Sequence, residues 1–345
     1  MKTNRSRSPI FYSPDATYHA DTCEPLRQAV ARGDTRLVAL CRRDYPGYLL
    51  PPQMLSEVST VGFWDAAGDQ AWGLDWHRNE GIELTFLARG KTEFQVDDKA
   101  FLLESGHLTI TRPWQQHHVG NPRINASRLH WLILDVGVRR PDQTWHWPKW
   151  LIMAPDDLQR LTTLLSHNEQ PVWRANGAIG ECFEKIAALV DTREPLKVHT
   201  RLQLCINELF VAVLELLQEK KVVLDARLTT RRRTVEMFLA DLPHHLDKPW
   251  TLGELAQRCG LGRSRFADYC REITNLTPAE YLARCRVEAA KAILQTQPEL
   301  SITDVAFACG FQSSQYFATV FHQQTGLSPR DYRRTHAPSQ AGDAS

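Results

Sequence analysis

Apolar and polar positions near the end of this chain follow one pattern twice. Glu254-Leu255-Ala256-Gln257-Arg258-Cys259-Gly260-Leu261 returns as Asp304-Val305-Ala306-Phe307-Ala308-Cys309-Gly310-Phe311. Leu252, Leu255, Ala256 and Cys259 fall on one helical face, as do Ile302, Val305, Ala306 and Cys309. A second apolar stripe follows each: Phe266, Cys270 and Ile273, then Phe317, Phe321 and Gln324 with Val320 beside them. Each copy therefore predicts a helix-turn-helix. Thr251 and Ser301 stand where a hydroxyl caps the first helix. Gly260 and Gly310 stand in the turn, where a left-handed backbone needs no Cβ. A helix over Pro278 to Gln295, with Leu282, Val287, Ala290 and Leu294 inward, fixes the spacing of the two units.

The first half has another rhythm. Leu26 to Cys41 has helical periodicity, broken at Gly33-Asp34, and predicts a helix or two short ones. From Val58 to Val136 the pattern predicts strands: Ile82–Leu87, Thr92–Val96, Phe101–Leu103, Leu108–Thr111 and Leu129–Val136. Turn residues separate them at Arg89-Gly90, Asp97-Asp98, Glu104-Ser105-Gly106 and Pro113. Short, regularly spaced strands imply a double-sheet barrel. Helices follow over Asp156–Leu165, Ala178–Val190 and Leu196–Gln218, the last with a stripe of Leu202, Ile206, Leu209, Val213, Leu216 and Leu217. The basic, apolar-poor stretch around Arg231-Arg232-Arg233 reads as a linker, before a helix over Thr234–Leu246. The expected fold is α+β: a barrel domain over 21–150, a helical segment over 151–222, a linker over 223–233 and an all-α domain over 234–335. Tails occupy 1–20 and 336–345.

At 345 residues the chain has room for two domains. Charge adds little. Residues 228–345 carry +2 and the remainder −1, too even to identify a nucleic-acid partner by composition. Eight cysteines stand singly, without a CxxC pair, and read as small buried hydrophobes of a reducing cytoplasm. No apolar run is long enough to span a bilayer, and Met1 to Pro9 lacks the apolar segment of a signal peptide.

The duplicated hairpins, above all Ser301-Ile302-Thr303-Asp304-Val305-Ala306-Phe307-Ala308-Cys309-Gly310-Phe311 with Tyr316-Phe317, Phe321 and Gly326-Leu327-Ser328-Pro329-Arg330-Asp331-Tyr332-Arg333, resemble the AraC/XylS family of bacterial transcription regulators. The likeness covers roughly the last hundred residues. It implies a cytoplasmic regulator, an activator, that binds double-stranded DNA and pairs as a homodimer through helix 196–218. The polar faces of the second helices are then the DNA contacts: Arg263, Ser264, Arg265, Asp268 and Arg271 in the first unit, and Ser313, Ser314, Gln315, Thr319 and His322 in the second. Held about 34 Å apart, the two helices would enter successive major grooves. Ser264 and Ala267 are smaller than the contact residues relatives often place there, so the first unit should read fewer bases directly.

The β region is similar to the cupin-type sensor of the same family, through Glu83-x6-Gly90 and the spacing Gly106, Pro113, His117. The paired histidines of that pattern are missing, leaving His77 alone. A metal would need His77, Glu83 and His117 to converge; with a ligand lost, no metal and no cofactor is expected. The alternative occupant is a small polar effector, such as a sugar, held by Trp76, His77, Arg78, Glu80, Glu83, Trp114 and His117. Trp72 and Trp131 lie nearby, and each tryptophan taken singly reads as core. Two other functions stay open: a metal-dependent cupin enzyme with an accessory DNA-binding domain, and a constitutive regulator whose barrel only dimerises.

Overall fold

The computed structural model describes residues 23–42 and 45–336, apart from the side chains of 121 and 122. The expected tail 1–20, and that at 336–345 beyond its first residue, lie outside the described residues. The chain divides into two compact units between Thr230 and Arg231.

The first unit opens with α1 (Glu24–Ala31) and then β1 (Thr35–Cys41), β2 (Tyr48–Leu49), β3 (Val58–Ala66), β4 (Leu74–His77), β5 (Ile82–Val96), β6 (Lys99–Glu104), β7 (His107–Thr111) and β8 (His117–Leu134). The helix expected to reach Cys41 thus stops at Ala31. Val38 to Cys41 are all buried and pair antiparallel with β3, which a helix could not do. With β9 (Val172–Arg174) from further along the chain, the strands form one nine-stranded sheet, in the order β2-β1-β3-β8-β5-β7-β9, not two separate sheets. β4 pairs with β8, and β6 with β5. Two strands expected on either side of Arg89-Gly90 are a single strand. Gly90, at φ +94, lies in a register irregularity against β8, so it bends the strand where a turn was expected. The sheet curls into a half-barrel with Trp64, Leu87, Phe94, Leu129, Trp131 and Ile133 in its inner core.

Three helices follow β8, with β9 between the first two: α2 (Pro155–Ser166), α3 (Gly177–Asp191) and α4 (Pro195–Glu219). On the opposite side of the sheet from Trp64 and Trp131, Phe86 and His130 meet Phe183 of α3, and Phe63 packs on His130. The α4 stripe Leu202, Ile206, Leu209, Val213, Leu216 and Leu217 is buried inside this unit. It therefore cannot be the surface on which a second copy packs. Leu204 and Val211, 54% and 42% exposed, lie on the open face instead.

The second unit is all α: α5 (Arg231–Asp241), α6 (Leu252–Arg258), α7 (Arg263–Thr274), α8 (Pro278–Thr296), α9 (Ile302–Ala308), α10 (Ser314–Thr325) and α11 (Pro329–His336). Arg231 to Arg233, expected in the linker, form the first turn of α5, where Arg232 pairs with Glu236 and Glu272. The helix expected to reach Leu246 ends at Asp241 because Pro243 tightens the chain into a 3-10 turn over Leu242–His245. Thr251 with Glu254, and Thr277 with Glu280, make complete capping boxes at α6 and α8. Ser301 caps α9. Val287, Ala290, Leu294, Val305, Ala306, Phe317, Val320 and Phe321 form one core.

Candidate functional site

Each hairpin puts its second helix on show by burying one edge of it. In α7, Phe266 and Cys270 are buried, which leaves Arg263, Ser264, Arg265, Asp268 and Arg271 exposed on the other faces. The Arg265 guanidinium lies over the Tyr269 ring at 4.6 Å and donates to its hydroxyl at 3.2 Å, which pre-orders that arginine. In α10, Phe317, Val320 and Phe321 are buried, while Gln315, Thr319 and His322 are exposed and Ser313 and Ser314 half-buried. Gln324, expected in the buried stripe, is exposed; the inward edge of α10 runs through Val320 instead.

Three of the expected contact hydroxyls already have local partners. Ser313 Oγ accepts from the Tyr316 amide as the N-cap of α10, Ser314 Oγ donates to Gln315 Oε1 at 3.4 Å, and Thr319 Oγ1 donates to the Gln315 carbonyl. Ser313 keeps its hydroxyl hydrogen for a phosphate or a base acceptor, and Thr319 keeps only lone pairs, which can accept from a base amino group. Tyr316, 57% exposed beside Gln315, was not among the expected contacts, because an aromatic next to Phe317 looks like core. The two surfaces also differ in charge. α7 shows three arginines, and α10 shows none.

The half-barrel contributes a second site. Its cavity, about 50 Å³, is walled by Leu26 of α1, Tyr45, Thr60, Trp64, His77, Asn79, Glu83, Thr85, Leu129, Trp131 and Ile133. Of the residues expected around an effector, His77 and Glu83 line it and His117 adjoins them. The others do not line it. Trp114 is core, its Nε1 donating to the Val138 carbonyl at 2.9 Å. Glu80 is buried elsewhere and accepts from Ser59 Oγ. Arg78 donates to Gln116. Trp76 lies at the surface with His118 edge-on at 4.6 Å. Tyr45, Trp64 and Asn79 were missed, since nothing local in sequence marks them as neighbours.

The polar corner of the cavity is tightly wired. His77 on β4 and His117 on β8 are cross-strand partners, their rings 4.2 Å apart. His77 Nδ1 lies 2.7 Å from the Asp75 carbonyl and His117 Nδ1 2.9 Å from that of Gln115. A carbonyl only accepts, so both Nδ1 atoms carry hydrogen and both Nε2 atoms face inward. His117 Nε2 meets Glu83 Oε2 at 2.8 Å. Asn79 Nδ2 donates to the same oxygen at 2.6 Å, Tyr45 donates to Asn79 Oδ1, and Thr85 donates to Glu83 Oε1. Burial, then the charge of His117, pushes the His77 pKa down to about 4. Burial opposes charge on His117 too, yet Glu83's charge and hydrogen bond hold its pKa above the ordinary histidine value. Glu83, against the same burial, is held below the ordinary carboxylate value by His117. The corner is thus an imidazolium–carboxylate pair beside a neutral imidazole.

Comparison with known proteins adds to this geometry. Residues 65–205 match the model of an AraC-like ligand binding domain, and residues 255–335 match that of a helix-turn-helix domain. The HTH-type transcriptional activator RhaR of Salmonella schwarzengrund is 23% identical over 262 residues, 74% of this chain and 86% of that protein. The HTH-type transcriptional activator RhaS of Shigella boydii serotype 18 is 28% identical over 162 residues, 47% of this chain and 57% of that protein. Among solved structures, the DNA-binding domain of AdpA in complex with a target DNA is 31% identical, covering 29% of this chain and 90% of that one at a TM-score of 0.28.

Proposed function

Because the chain belongs to the AraC family of transcription regulators, we propose that it activates transcription by reading DNA with α7 and α10 under control of a small polar effector in the half-barrel. The observation that carries this is the pair of hairpins, each with a Phe-anchored second helix whose polar face is open to solvent. α7, with its arginines, supplies the phosphate grip, and α10, with Gln315, supplies base discrimination. The experiment uses a duplex selected from random sequence by the full chain. Arg263→Ala and Arg271→Ala should weaken binding to every sequence and flatten the salt dependence by about one unit of slope each. Gln315→Ala should relax preference at one base pair by about 1–3 kcal/mol. Equal loss on all sequences would remove Gln315 from base reading.

The effector reading rests on the match of residues 65–205 and on the tryptophan-walled cavity. A void near 150 Å³ is what takes up benzene, so an effector the size of a sugar enters only if the wall yields, and Leu26 on α1 belongs to that wall. Trp64 and Trp131 report entry. Their fluorescence should change saturably with one member of a panel of sugars and small acids, and a flat response throughout would discard this role. A sensor joined to a DNA reader needs no catalysis, so we assign no enzyme activity. No helix among the described residues is long and apolar enough to cross a membrane, and we place the protein in the cytoplasm, with the DNA.

We also propose a homodimer through the open face of α4. Lys197 and Arg201 lie toward one end of that face, and Glu215 and Glu219 toward the other. Antiparallel pairing about a two-fold axis would set Leu204 against Val211 and bases against acids. Sedimentation velocity should show a dimer that Leu204→Glu dissociates; an unchanged dimer would move the interface elsewhere.

A further inference from the structure

We propose that His77, Glu83 and His117 bind one divalent transition-metal ion through the two Nε2 atoms and a carboxylate oxygen. The ligand atoms already lie within 4.8 Å of one another. Ligands about 2.1 Å from a shared ion stand about 3.4 Å apart, so small side-chain rotations close the site. Both imidazoles are set in the tautomer a metal needs. Each spends its Nδ1 hydrogen on a backbone carbonyl two residues back in the chain, Asp75 or Gln115, which turns Nε2 toward the other ligands. Glu83 is braced in the same way, by Asn79 and Thr85, with Tyr45 behind Asn79. Such outer partners orient ligands and raise affinity.

The present arrangement shows what an ion would replace. The 2.8 Å contact between His117 Nε2 and Glu83 Oε2 is held by one proton, buried in a wall with His77 alongside. Loading a metal releases that proton and gives all three groups one shared partner of higher charge. Two imidazoles select against magnesium and calcium and suit zinc, iron, cobalt or nickel. Two of the three ligands line the cavity, so the remaining coordination positions face the space in which an effector oxygen or water could sit. The ion is thus a candidate fixture of the cavity, and its binding does not depend on the effector or DNA-reading proposals; failure here leaves those untouched.

The test uses full-length chain treated with chelator and then titrated with Co2+ alone. We expect one ion per chain, at micromolar affinity or tighter. His77→Gln and His117→Gln should each lose at least about 100-fold, and Asn79→Ala, a positioning residue, about 10-fold. His118→Gln, one residue away but outside the cluster, should bind as the parent does. Binding that survives both His77→Gln and His117→Gln, or no stoichiometric binding by the parent, overturns the proposal. Should the variants lose their native circular dichroism, the parent decides alone. The Cu2+ electron paramagnetic resonance spectrum then shows coupling to two imidazole nitrogens, or its absence refutes the site.

Discussion

Gly310→Ala should cost the C-terminal unit about 4 kcal/mol or more, and DNA binding with it. Two effects add. Gly310 sits at φ +82, where a residue with a Cβ is strained by about 1–2 kcal/mol. A Cβ built there would also overlap the Leu246 carbonyl oxygen, with Arg286 Nε 3.1 Å away. Leu246 cannot retreat cheaply, because Arg286 Nη2 donates to its carbonyl and to that of Lys248. The turn of the second hairpin is thus pressed against the chain that leads from α5 to α6. Gly326→Ala is the control. It has the same backbone sign, φ +74, with no heavy atom within 4 Å of the new carbon, so only the strain of about 1–2 kcal/mol applies. Calorimetry of the full chain should show the unit's transition lowered by about 20 °C for Gly310→Ala and by only about 5–10 °C for Gly326→Ala. Equal shifts would mean that the turn makes room.

Phe317→Ala should destabilise the same unit by about 3–5 kcal/mol. Phe317 is fully buried and touches Phe311 and Phe321 at ring-centroid distances of 5.0 and 5.4 Å. Its removal leaves a void beneath α10, the helix that carries Gln315. The whole unit has only about 5–15 kcal/mol to lose. Gln324→Ala, on the exposed edge of the same helix, should change stability by less than about 0.5 kcal/mol. Urea denaturation of both variants separates the two positions, and a comparable loss from Gln324→Ala would restore it to the interior.

The C-terminal unit was legible because its signals are local. A cap, an alanine, a glycine and a phenylalanine at fixed offsets determine each hairpin, and the repeat supplies its own control. Gln324 was misplaced only because helical spacing from Phe317 and Phe321 cannot tell the margin of a buried stripe from its centre. The half-barrel was less legible. Val38 to Cys41 is an apolar run without alternation, buried on both faces, and such a run fits helix or strand equally well. Gly90 carries the chemistry of a turn yet serves as a bend within a strand. The cavity was the least visible part. Trp64 and Glu83 meet only because β3 and β5 flank β8, Tyr45 and Asn79 reach them from connecting segments, and His77 faces His117 through strand register alone.

The unequal dress of α7 and α10 gives the molecule a front and a back. On the proposed division of roles, in which α7 grips by charge and α10 discriminates by neutral side chains, the reader cannot be turned around on its target without loss. A single copy would therefore recognise a non-palindromic word and register its direction, so that the same word inverted in a promoter would present a different face to whatever stands next to it.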